Sequence, residues 1–205
     1  MVKTILTPAA GSSSHASTIA VVLVLVFSFG SLLAAPLLMP DSYHWIEHTT
    51  SHSAAQGVEG AWLARLGFLL LGLAVIWLAA IRKANWPRAA VWMHAAFGVF
   101  MVATAAFSVR PWIEGLPFDP IEDALHSFTA TAMGFAFAFG VLARWLRRQR
   151  EDRLSRLLDI VALAASVGIP LIMVYQADIG GLVQRLMFLI AYIWYGRESI
   201  VKEDN

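Results

Sequence analysis

Six long apolar stretches alternate with short polar segments along this chain. A bilayer core needs roughly 20 apolar residues per helix. By that measure the stretches predict helices over residues 18–39, 61–81, 89–109, 121–145, 157–175 and 182–195, the last running on toward Glu198. Pro36 and Pro40 close the first run, and Arg82-Lys83 with Asn85-Trp86-Pro87 turns the chain after the second. Pro111, Pro117 and Pro120 mark the loop before the fourth, where Asp119 is placed to cap the helix that Pro120 opens. Pro170 falls inside the fifth run, where a kink is expected, and Gly180-Gly181 precedes the sixth. The first run reads as a retained helix, because only Lys3 could form a charged leader region and Leu33-Ala34-Ala35 is a poor cleavage site. The expected architecture is all-α, a polytopic membrane protein built as a bundle of about six transmembrane helices. Residues 1–17 are expected as a disordered cytoplasmic tail, 18–198 as the transmembrane domain and 199–205 as a second cytoplasmic tail.

Composition agrees with lipid as the solvent. The 205 residues are 59% hydrophobic and only 14% charged, against about 25% charged in soluble domains. Six spans leave no room for a soluble domain beside them. A net charge of +1 creates no field that would draw nucleic acid. With no cysteine, thiol nucleophiles, iron–sulfur clusters and thiolate zinc sites are excluded, which leaves histidine and carboxylate as metal ligands.

Charge then orients the bundle. Placing the N-terminus, the second and fourth loops and the C-terminus on one side splits the 15 Lys and Arg residues 12 to 3. Basic loops are retained in the cytoplasm, so both termini are expected inside. The basic run Arg144–Arg156 is chiefly a topology signal on that side and a place for anionic inner-leaflet lipids.

The expected outer side carries the candidate chemistry. His44, His48 and His52 recur every four residues, a spacing that on a helix stacks the imidazoles on one face. Imidazole suits zinc, copper or nickel, so His48 and His52 with His126 form a candidate metal site, zinc being the expected ion. The alternative is a polar interfacial segment that is merely histidine-rich. Ser51, His126 and Asp119 are the candidate catalytic residues of a hydrolase. Glu122 and Asp123 lie at the positive end of the fourth helix, and His126 one turn in, where an ionisable side chain faces a neighbouring helix or a wet cavity. Arg65, Arg110 and Arg185, the three outer cations, each sit near the outer end of a different helix. They are expected to pair with outer acids, for example Arg110 with Glu114 or Asp123. Snorkelling to headgroups and joint binding of a lipid phosphate or carboxylate are the alternatives. His94 reads as a packing residue given room by Gly98.

Several segments together resemble one known family. Ala55-Gln56-Gly57 and Arg65-Leu66-Gly67-Phe68-Leu69-Leu70-Leu71-Gly72 resemble the stretch between the first two helices of the domain of unknown function 998 family. Leu116-Pro117-Phe118-Asp119 leading to His126 is similar to that family's loop before its fourth helix, and Gly181-Leu182-Val183-Gln184-Arg185 leading to Trp194 to its last helix. The resemblance implies a six-helix protein of the bacterial cytoplasmic membrane without an assigned activity. His52 stands where the family often has an acid. Two functions are carried forward. One is a non-enzymatic membrane protein that binds lipids or a protein partner in the membrane. The other is a zinc-dependent hydrolase acting on lipid at the outer face.

The topology has a direct test. A reporter fused after Asn205 should behave as cytoplasmic, and a Glu114→Cys variant should react with an impermeant thiol reagent applied to intact cells. An external C-terminus would refute the helix count.

Overall fold

A computed structural model describes residues 10–149 and 152–201. Six helices dominate: α1 (Ala10–Ala34), α2 (Ala61–Ile81), α3 (Arg88–Ala106), α4 (Pro120–Arg147), α5 (Arg153–Tyr175) and α6 (Gly180–Ile200). All six crossings are long and apolar enough to span a bilayer, and no strand occurs among the described residues. The all-α six-helix expectation therefore holds. α2 has the expected limits. α1 starts at Ala10, ahead of the expected Thr18, so part of the anticipated 1–17 tail is helical. Residues 1–9 and 202–205 of the two expected tails lie outside the described residues.

Each helix packs on the next, and α1 meets α6, which closes the ring. Segment 35–60 and the loop 107–119 share one end of the bundle, called here the histidine end. The turn 82–87 and the residues Arg148 and Asp152 mark the other, the arginine end.

Close helix approach depends on glycine at two crossings. A Cβ on Gly72 would stand 2.7 Å from the Gly98 carbonyl oxygen, and one on Gly98 would stand 2.6 Å from that of Gly72. The α2 and α3 backbones touch there, a contact that dispersion rewards in lipid and any side chain forbids. The room expected beside His94 is therefore taken by α2. Gly140 of α4 supplies it instead, since a Cβ there would lie 2.7 Å from the His94 ring. His94 is fully buried, stacks on Trp194 at 4.7 Å and pairs through Nδ1 with the Tyr195 hydroxyl at 3.0 Å. It is a packing and hydrogen-bonding residue, as its sequence position suggests.

The arginine end is held by buried ions. Arg148 donates from Nε to Asp159 Oδ2 at 2.6 Å and from Nη2 to Glu198 Oε1 at 2.6 Å. Arg144 reaches Glu198 Oε2 at 3.0 Å, and Trp194 Nε1 donates to Asp159 Oδ1 at 2.8 Å. At the rim, Asp152 caps α5 by accepting from the Ser155 amide and pairs with Arg197 at 3.2 Å. Two basic residues of a run read as a topology signal thus also tie α4 to α5 and α6. Burial pulls the Arg148 pKa down, but Asp159 and Glu198 outweigh it and the net shift is upward.

Removing one member of a buried ionic set leaves its partner's charge uncompensated, which costs about 3 kcal/mol or more. Asp159 is fully buried and serves both Arg148 and Trp194. Asp159→Ala is accordingly expected to lower the unfolding midpoint in detergent far more than Asp152→Ala at the half-exposed rim. Equal losses would mean that the network does not hold the helices together.

Candidate functional site

Segment 35–60 is not a helix that stacks histidines. It opens with a 3-10 turn at Ala35–Leu38, passes through turns over 41–51 and makes a second 3-10 turn at His52–Ala54. Such backbone has few internal partners, and bare buried amides and carbonyls are costly. The rest of the protein supplies them. The Gly181 amide donates to Glu47 O at 3.0 Å and the Leu182 amide to Ile46 O at 2.9 Å, so the first turn of α6 is capped by the segment. Gly181 allows this, because a Cβ would collide with the backbone of Trp45 and His48. The glycine pair expected to precede the sixth helix is thus the start of α6.

Arg185, one turn further, is the main staple. Its Nη1 donates to the carbonyls of Trp45 at 2.6 Å, His48 at 2.9 Å and Gly181 at 2.9 Å, and its Nη2 to Tyr43 Oη at 2.5 Å. The guanidinium also lies 5.8 Å from the Trp45 ring centroid and 5.9 Å from that of Tyr43. Arg65 of α2 donates to Ala54 O and Ala55 O at 3.0 and 2.9 Å. Arg110 meets Asp123 through its own amide, at 2.9 Å. The three arginines therefore bond to three different parts of this end. Arg65 and Arg185 are bonded to loop carbonyls where pairing with acids was expected. Of the acids, Glu122 accepts from the Ser108 amide and Asp119 caps α4 through the amides of Ile121 and Glu122.

The histidines do gather, by a different route. His44 and His48 stack with centroids 5.9 Å apart, and His48 meets His52 edge-on at 5.6 Å. Trp112, from the loop after α3, lies 5.0 Å from His48 and 6.0 Å from His52. Backbone amides use the imidazoles as acceptors: His44 N–H donates to His48 Nδ1 at 2.8 Å and Thr49 N–H to His52 Nδ1 at 3.2 Å. Both rings must be neutral for that. His126 faces the end of α3, its Nδ1 donating to Phe107 O at 2.8 Å. Among the described residues, no three His, Asp or Glu side chains converge as a metal site. Nor does a hydrogen bond join Ser51, His126 and Asp119. Ser51 is tied by its amide to Gln184 Oε1 at 3.3 Å.

Sequence reasoning passed over three residues that organise this end. Gln56 donates to Ser108 O and Asp119 O and accepts from the Asp119 amide, clamping the two loops together. Tyr43 and Trp112 form the aromatic floor beneath the histidines, 5.2 Å apart. A lone glutamine between an alanine and a glycine was the available signal for the first.

Below the segment lies a cavity of about 260 Å³ between α1 and α6. Phe29, Leu32, Leu33, Pro36, Phe188 and Tyr192 form apolar walls, with Trp45, Thr50 and Arg185 also lining it. Leu33 is strongly exposed, so the cavity borders the lipid-facing surface.

Burial pulls the His52 pKa down to about 4, with His48, His126 and Arg110 adding repulsion that Asp123 partly offsets. Burial also lowers that of His48, against Glu47. The folded state then binds fewer protons than the unfolded chain below the ordinary value of about 6.5. Stability from neutral His52 is full above that value and is lost as pH falls toward 4. An NMR titration of His52 is expected to show a midpoint near 4, and His52→Gln to flatten the acid loss of stability across this window. A midpoint near 6.5 would contradict the buried, amide-bound ring.

The comparisons with known proteins match this architecture at one point. The sequence profile described as "Protein of unknown function (DUF998)" covers residues 18–196, from the first third of α1 through most of α6. No curated protein and no solved structure matches the chain. With six spanning helices and a match across nearly all of them, this integral membrane protein belongs to the DUF998 family.

Proposed function

We propose that this protein is a non-enzymatic, lipid-binding component of a bacterial cytoplasmic membrane, with the histidine end outside and both termini inside. The observation that carries the reading is the cleft between α1 and α6. It is mostly apolar, it borders the lipid-facing surface, and its one charged lining residue, Arg185, lies at the histidine end. An acyl chain entering sideways would replace lipid contacts by protein contacts on several sides, and its polar end would lie at headgroup level. At about 260 Å³ the cleft is smaller than a typical drug-sized pocket of roughly 300–1,000 Å³. It suits part of one chain, not a two-chain lipid. The 12-to-3 division of basic residues supports the orientation.

Nothing in the geometry favours the zinc hydrolase. Asp119 and His126 Nδ1 are engaged in bonds to a helix end and a loop carbonyl, and no described hydrogen bond joins either to Ser51.

Filling the cleft tests the reading. Leu33→Trp adds bulk to an exposed wall residue without touching the loop bonds. Native mass spectrometry of the detergent-released protein should show bound lipid on the wild type and a loss of about tenfold or more in affinity in the variant. Equal lipid retention by both proteins would overturn the proposal.

A further inference from the structure

We infer that the α1/α6 cleft holds an anionic amphiphile, whose terminal oxyanion is bound by Arg185 and Thr50 while its chain lies between Phe29, Leu33 and Phe188. This rests on the reading of the cleft as a lipid-chain site and names the head group that site takes.

Two independent observations point to an oxyanion. The first is the bonding of Arg185. An arginine carries five N–H donors in a rigid fork. Here Nη1 and Nη2 bond to three carbonyls and the Tyr43 hydroxyl, while Nε bonds to no described residue. All these acceptors are neutral, and no described carboxylate forms an ion pair with Arg185. The side chain is only partly buried and lines the cleft. Its charge is thus held rigidly at the cleft with a donor to spare and no counter-ion. Arginine binds carboxylate and phosphate best through this kind of fixed fork.

The second observation is Thr50. It is 2% exposed and lines the same cleft, and its hydroxyl is buried with no hydrogen-bond partner. Buried hydroxyls are nearly always paired, and an orphan one calls for an explanation. An oxyanion at Arg185 supplies the missing acceptor. The hydroxyl and the guanidinium would then share one ligand head, while Trp45 covers it from the segment above.

The test separates head from chain. The full-length protein in neutral detergent is titrated with palmitate, with the alcohol of the same chain length and with inorganic phosphate, and binding is read by native mass spectrometry. Palmitate should bind about tenfold tighter than the alcohol, and phosphate alone should not compete. Thr50→Val keeps the side-chain shape and removes only the orphan hydroxyl, so it should fold normally. It should cut the preference for palmitate several-fold and leave alcohol binding unchanged. Equal binding of palmitate and alcohol would overturn the head-group inference while leaving the chain reading intact. Binding of neither would overturn both. Phosphate that binds as tightly as palmitate would make this a chainless anion site and overturn the amphiphile. A palmitate preference unaffected by Thr50→Val would remove Thr50 from the site and overturn the two-donor inference.

Discussion

The segment between α1 and α2 crosses the end of the bundle without being a helix, so its backbone must find partners elsewhere. One guanidinium and the start of α6 together meet the demand of its first half. Arg185 grips the carbonyls of Trp45 and His48 together with the Tyr43 hydroxyl, and the first amides of α6 bond to Ile46 and Glu47. Arg65 and Gln56 fix the other half of the segment to α2 and to the loop before α4. With the segment pinned in this way, Trp45 and Thr50 lie across the α1/α6 contact, and the cleft acquires its polar end. The histidine cluster, the capped start of α6 and the cavity all follow from how this stretch is satisfied.

The two ends of the bundle use arginine in opposite ways. At the arginine end, Arg144 and Arg148 are deeply buried and face Asp159 and Glu198, so charges cancel locally and three helices are locked together. At the histidine end, Arg185 meets only neutral acceptors and keeps its charge uncompensated. A charge fixed in place at a cleft normally has an anionic partner. An end where it does not is a better place to look for a ligand than one where these arginines and carboxylates pair with each other. That contrast, more than any residue count, directs attention to the α1/α6 cleft.

The histidines illustrate how spacing and chemistry can part company. A four-residue repeat would align three rings along a helix, but the chain there makes turns. The rings still gather, because Trp112 and Tyr43 provide an aromatic surface and backbone amides need acceptors. Once an imidazole accepts an amide proton through Nδ1 it is committed to the neutral form, and burial holds it there. His48 and His52 therefore serve as internal acceptors for a segment short of them.

What the sequence determined by itself was everything set by solvent and periodicity. The count of spans, the limits of α2 and the capping of α4 by Asp119 are local properties, fixed by runs of apolar residues, by proline and by short-range hydrogen bonding. The family was also legible, because its motifs lie in short contiguous stretches. What only the tertiary structure decided was which partner each polar group found. Arg65 and Arg185 were expected beside carboxylates and found carbonyls. Asp159, near the start of α5, found Arg148 and Trp194. Gly98, expected to make room for His94, made room for Gly72, and Gly140 took its place. Those choices depend on residues tens or hundreds of positions apart meeting across helices. No local pattern encodes such meetings, because the energy that selects them appears only when the helices pack.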